Sequence, residues 1–165
     1  MSIPQLAFSQ PKRVGTFRFV QRKGKHVAEV MFETRKFEPK KHWITRNADC
    51  PVMVDGRVPL GTDCSMPVVE IASMRFYFDG KEVPVTKHLF TDCYNPDLAD
   101  YPAENFAIRF SDDMQGVFVF MSGSDGAGSY QVIWTLRKDG RHSRFSGACG
   151  DCGFIDFRSG FFKWQ

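Results

Sequence analysis

The residues of this 165-residue chain best suited to metal or redox chemistry are its five cysteines and four histidines. Only Cys149 and Cys152 stand close together, in "SGACGDCGFIDF", and His142 lies seven residues before them. A structural zinc site gathers four ligands into a tetrahedron, and its strong signature is two close pairs. Cys149 and Cys152 are half of that signature. With His142 they form the metal candidate, zinc is the one cofactor in question, and Cys50, Cys64 or Cys93 would have to complete the set. A redox pair would instead open a helix, where the dipole lowers a thiol pKa. The residues after Cys152 read as a strand, and Gly147, Gly150 and Gly153 explain the stretch as a tight connection carrying two small thiols. The expectation is therefore no bound cofactor.

Other candidates carry less. In "GTDCSMPVV" (61–69) the run Asp63-Cys64-Ser65 resembles the nucleophile segment of the NlpC-type cell-wall peptidases. That resemblance implies a catalytic Cys64 at a helix start and a histidine on a later strand. Met66 and Pro67 depart from the family's glycine and apolar helix start, and the next run, "VVEIASMRFYF", reads as a strand, which leaves Cys64 no helix to acidify it. In "HLFTDC" strand periodicity puts His88 and Asp92 on one face and Cys93 on the other. The glycine-rich "SGSDGAGSY" (122–130) lacks the Lys-Ser/Thr of a phosphate loop, and Asp112, Asp113 and Asp125 lack the alternating oxygen ligands of a calcium loop. The balance is against an enzyme.

The elements that would position these residues are strands. Seventeen Phe and a period-two alternation from end to end favour sheet over helix. In "TFRFVQRKGKHVAEVMFE" Phe17 and Phe19 share one face, Ala28, Val30 and Phe32 oppose Glu29, Met31 and Glu33, and Lys23-Gly24-Lys25 turns the chain. Asp55-Gly56, Asp79-Gly80 and Asp139-Gly140 mark further hairpins, because two-residue loops need positive φ. "YQVIWTLRK" puts Tyr130, Val132, Trp134 and Leu136 on one apolar face and is the best core strand. "CYNPDLADYPAEN" (93–105) is the longest polar connection, with a helical turn expected around Asp97 to Asp100. The fold expected is all-β: an antiparallel sandwich or jelly-roll-like domain of about ten strands with little helix, spanning 1–165, with 1–12 as a loose N-terminal segment.

Charge is uneven. Residues 1–46 hold eleven Lys/Arg and three Glu, a net of +8, against −5 for the remainder. Interleaving of strands from both halves is the expected outcome, which mixes the charges in space. "VGTFRFVQRKGK" is similar to the opening strands of a small nucleic-acid-binding barrel such as a cold-shock domain, and cations interleaved with aromatics suit single-strand binding. The preferred function is a non-enzymatic binding or accessory protein recognising a protein or carbohydrate through loops at one end of the sandwich. Tyr94, Asp97, Tyr101, Asp125, Tyr130, Lys23 and Lys25 are the contact residues nominated. A nucleic-acid module using the basic N-terminal third is the alternative, and a Cys/His metal site or cysteine hydrolase the second. An odd cysteine count and the lack of a signal-like start point to reduced thiols and the cytoplasm, and no run of about 18 apolar residues suggests a membrane partner.

Overall fold

Alternation decides the first two strands, β1 (Gly15–Lys23) and β2 (His26–Lys36), which pair antiparallel with Phe19 opposite Val30 and Gln21 opposite Ala28. Phe19, Ala28, Val30 and Phe32 are buried as the period predicts, and Gly24 closes the hairpin at φ +58°. The computed structural model describes residues 14–48, 50–98, 105–124 and 126–148. Among these, β3 (Ile44–Asn47), β4 (Cys50–Val54), β5 (Val69–Phe78), β6 (Lys81–Val83), β7 (Phe106–Phe110), β8 (Gly116–Gly123), β9 (Tyr130–Arg137) and β10 (His142–Ala148) complete ten strands. Among the described residues helix is confined to three 3-10 turns, Pro39–Lys41, Lys87–Leu89 and Gly126–Gly128.

The strands form two four-stranded antiparallel sheets, ordered β1-β2-β5-β6 and β10-β9-β8-β7, and the small β3-β4 hairpin is inserted between β2 and β5. Each large sheet is built from one half of the chain. Between them lies a single core that joins Phe32, Met74 and Phe76 of the first sheet to Phe106, Val119, Val132 and Trp134 of the second. Phe19 stacks on Phe106 at 3.9 Å between centroids, Phe32 meets Phe106 edge-on at 5.9 Å, and Trp134 donates its indole N–H to Leu89 O at 2.6 Å. Burying rings of this size is the dominant favourable term, and the indole bond removes the cost of a buried donor. On the outer side of the second sheet Phe118, Phe120 and Ile133 form a smaller buried cluster with Ala107.

The Asp-Gly turns divide by geometry. Asp55-Gly56 and Asp79-Gly80 have positive φ at both positions, as two-residue hairpin loops require. At Asp139-Gly140 only glycine does, and Arg137 N–H bonds Arg141 O, so that loop spans three residues, Lys138 to Gly140. The strands of the basic N-terminal portion and of the remainder do not interleave as expected; β2 and β5 are the one seam between them in the first sheet, crossed by Arg35–Glu70, while Arg18 pairs with Glu29 and Arg75 with Glu82, each fork across neighbouring strands.

Candidate functional site

The nominated contact residues do not converge. Tyr94 and Tyr130, expected as exposed loop aromatics, are core residues with 1% of their surface exposed. The segment expected as a polar loop is instead tied into the sheets, with Cys93 bridging Leu60, Tyr94 bridging Glu70 and Pro96 bridging Gly123; Asp97 and Leu98 are not helical. Asp97 is half-buried and accepts a bond from Asn105 Nδ2 at 2.6 Å, a structural use. Lys23 and Lys25 lie at the β1-β2 turn, the opposite end of that sheet from the β2-to-β5 excursion. Tyr101, Asp125, Cys149 and Cys152 fall outside the described residues. His142 is engaged at both nitrogens, by Gly140 O and Thr86 Oγ1, and the length of β10 separates it by roughly 20 Å from the point where the chain leaves at Ala148.

Two cysteine expectations need correction. Cys50 and Cys64 are joined in a disulfide rather than reduced, so Cys64 cannot serve as the thiolate the peptidase resemblance implies. Cys93 is free but buried, and desolvation, with Asp92 beside it, pushes its thiol up to about 12. It is an apolar filler, not a nucleophile. No group of three metal-ligating side chains forms among the described residues.

The excursion between β2 and β5 is built differently from the rest. Ile44 pairs with Val54 and Thr45 with Met53, and a bulge at Thr45/Arg46 leaves Val52 as the extra residue. Strand alternation then gives the hairpin two faces. Ile44 and Val54 turn inward to Phe37, Tyr94 and Met66. Beyond the Asp55-Gly56 turn Arg57 bridges Val54 and shares that inward side, which turns Val58 outward. The outward side therefore presents Trp43, Met53 and Val58, and Val52 and Val68, the latter just before β5, are exposed in the same excursion. Exposures are 67% for Trp43 and Val58, 56% for Val68 and 44% for Val52. No family model, curated protein or solved structure matches the chain, which leaves this geometry as the guide to function.

Four anchors brace the excursion, one within it and three onto the sandwich. The Cys50–Cys64 bond closes a loop of sequence separation 14. His42 lies face to face with the Phe37 ring at 4.5 Å, its Nδ1 2.7 Å from Asp55 Oδ2 and its Nε2 3.0 Å from Glu70 Oε2, the second contact lacking hydrogen-bond alignment. Arg57 Nη2 reaches buried Asp92 at 3.0 Å while Arg144 forks onto the same carboxylate, and Arg57 also donates to His88 O at 2.8 Å. Asn95, buried and at φ +50°, accepts from Val68 N–H and Val69 N–H and donates to Gly61 O at 2.6 Å.

The electrostatics are those of a scaffold. Burial raises the Asp55 carboxyl, but hydrogen bonds from His42 and the Trp43 amide outweigh it and hold the group below its ordinary value. Burial, then the carboxylates of Asp55, Glu70 and Asp92, drive the Tyr94 phenol well up. The His42 nitrogens both face carboxylates, which leaves neither of them aimed at a substrate proton. Trp43, His42, Arg57 and Asn95 are not among the contact residues that sequence reasoning nominates. The one sequence signal for Trp43 is adjacency to Ile44, since neighbours on a strand cannot both face inward.

Proposed function

We propose that the protein is a non-enzymatic binding protein whose recognition surface is the outward face of the β3-β4 hairpin, at the sandwich end where β2 finishes and β5 begins. The observation that carries the reading is that four of the six exposed large apolar side chains among the described residues, Trp43, Val52, Val58 and Val68, belong to the one excursion between β2 and β5. Large apolar side chains scattered singly need no explanation, whereas their concentration in one segment points to an interaction site, and tryptophan is the residue most enriched where binding energy concentrates. Lys36, Lys40 and Arg46 are exposed and form no ion pair among the described residues, while Glu38 is engaged by Lys41 and Asp55 by His42. The fitting partner is a protein segment with apolar side chains flanked by carboxylates. Branched aliphatics around the ring favour side chains over sugars. The paired arginines of the first sheet favour protein over nucleic acid, which needs a continuous run of free cations.

The Cys50–Cys64 bond also supports an oxidising compartment over the cytoplasm first expected, since such bonds are rare where glutathione keeps thiols reduced. Among the described residues no helix is long and apolar enough to cross a membrane.

The test is a peptide array, with oligothymidine and oligosaccharide panels alongside, read against wild type and Trp43→Ala. The expected result is selection of peptides with Asp/Glu beside Leu or Phe, weakened at least about tenfold by Trp43→Ala. Retained peptide binding in Trp43→Ala, or binding to oligothymidine alone, would sink the proposal.

A further inference from the structure

The second sheet ends on β10, whose outer edge has no neighbouring strand among the described residues. The pairing with β9 shows which backbone groups face that edge. Arg137 N–H bonds Arg141 O across the turn, so the hydrogen-bonded pairs that alternate from there are Thr135 with Ser143, Ile133 with Phe145 and Gln131 with Gly147. The N–H and C=O groups of His142, Arg144 and Ser146 therefore point away from β9, and among the described residues no backbone bond engages them. Such a row is a template for another strand, and proteins blunt it with short length, charge, proline or a bulge. β6, at the end of the first sheet, is blunted: it has three residues and exposes Lys81 and Glu82. β10 has seven residues, no proline and an unbroken register, and its one arginine is turned onto Asp92. Phe145, at the middle of the strand, is 62% exposed, with Ser143 exposed on one side and open space around Gly147 on the other.

We propose that β10 is a self-pairing edge, through which two copies of the chain join into one continuous sheet of eight strands, four from each copy. A second copy is the fitting occupant because the strand complements itself. A twofold axis sets β10 antiparallel to its copy. Centred on Phe145, the register bonds the outward backbone groups of Arg144 to those of the copy's Ser146, and those of His142 to the copy's Ala148, and it uses the whole strand. Every other centre shortens the ladder. The same register sets Phe145 against its own copy at a non-hydrogen-bonded position, where Cα atoms approach to about 4.5 Å and side chains meet most closely. Ser143 then faces Gly147, and both are small enough to leave room for the two rings. Centred on Arg144, the strands would bring two guanidinium groups opposite each other, and like charges in that position are destabilising.

The experiment is sedimentation velocity of the full chain from about 1 to about 500 μM, the range that populates a small interface. A reversible monomer–dimer equilibrium is expected. Hydrogen exchange by NMR at about 50 and about 500 μM reads the register: the Arg144 and Ser146 amides slow about two- to threefold as the monomer fraction falls. Those of Phe145 and Gly147, already bonded to β9, do not change. Ser146→Pro removes an outward N–H and no bond to β9, and Phe145→Lys sets two like charges opposite each other; each weakens the dimer at least about tenfold. Phe145→Lys alters an exposed side chain, so it decides the matter if Ser146→Pro fails to fold. Trp43→Ala leaves the dimer unchanged, which separates this edge from the hairpin face. A monomer at every concentration overturns the proposal, whether the Arg144 and Ser146 amides stay open to a different chain or are protected by another part of the same one. A dimer that survives the variants of β10, or is lost in Trp43→Ala, overturns it as well.

Discussion

The sandwich and the β3-β4 hairpin solve the same problem in opposite ways. Each four-stranded sheet turns one apolar face onto a shared core and is held by area: Phe32, Phe76, Phe106 and Trp134 belong to that one core. The hairpin buries Pro51 and Val54 and half-buries Ile44, Val54 and Ile44 packing with Phe37, Tyr94 and Met66, while Trp43 before it and Val58 after it stay in solvent. An isolated two-stranded unit is marginal in water, so its geometry has to come from elsewhere. It comes from a disulfide, a histidine between carboxylates, an arginine-aspartate node and the Asn95 side chain. A face released from holding the fold together is free to hold something else.

The largest expected effect attacks the sandwich. Phe32 is fully buried and contacts Phe19, Phe106 and Trp134. Phe32→Ala is expected to cost about 3–5 kcal/mol, through lost transfer energy and the cavity left behind. Urea unfolding followed by tryptophan fluorescence measures it. A cost below about 1 kcal/mol would mean the two sheets do not depend on this contact, and the contrast with the hairpin would collapse.

Next comes the covalent anchor. Cys50→Ser with Cys64→Ser removes a loop closure worth up to about 3 kcal/mol at this separation. The contrast sharpens if the damage is local. Limited proteolysis should cut the 50–66 region of the double variant while amides of β8 and β9 remain protected. Uniform loss of protection would show that the hairpin and sandwich unfold as one unit.

An intermediate effect is chemical. Burial raises the Cys93 thiol from the ordinary range to about 12. Between about pH 8.5 and that value the unfolded chain releases a proton that the folded chain keeps, so stability is intact below the window and falls as pH rises through it. The slope for one proton is about 1.4 kcal/mol per pH unit. Denaturant midpoints near pH 8 and near pH 10 test this, with Cys93→Ala expected to show a shallower fall. An identical fall in that variant would assign the whole slope to the buried tyrosines, Tyr94 and Tyr130, whose phenols are raised as well.

The same contrast separates the legible parts of the chain from the rest. Alternation identifies β1, β2 and β9, and with them Phe19, Val30 and Trp134 as core, because period-two burial is written locally. Asp55-Gly56 and Asp79-Gly80 are legible because positive φ selects those residues. The hairpin's anchors join positions far apart: His42 to Asp55 and Glu70, Arg57 to Asp92, Asn95 to Gly61 and Val68. Nothing local encodes such meetings, and cysteine connectivity has the same property. Tyr94 misleads for a related reason. Its neighbours Asn95, Pro96 and Asp97 have loop composition, yet Asn95 supplies hydrogen bonds that let the backbone go inside.

The smallest expected effect is the most informative about the hairpin. Trp43 is two-thirds exposed, and its fixed geometry comes from backbone bonds to Asp55 that do not involve the indole. Trp43→Ala should therefore change stability by no more than about 0.5 kcal/mol, as surface substitutions away from anchors do. Urea unfolding followed by far-UV circular dichroism decides it, because the variant alters the fluorescence signal. A near-zero cost says that this large apolar side chain contributes nothing to the fold that carries it, which is the physical condition for a residue kept for contact with a partner. A cost of several kcal/mol would instead put Trp43 with Phe32 and Trp134, as a core residue at the rim, and the hairpin would lose its claim to be anything but a small extension of the sandwich.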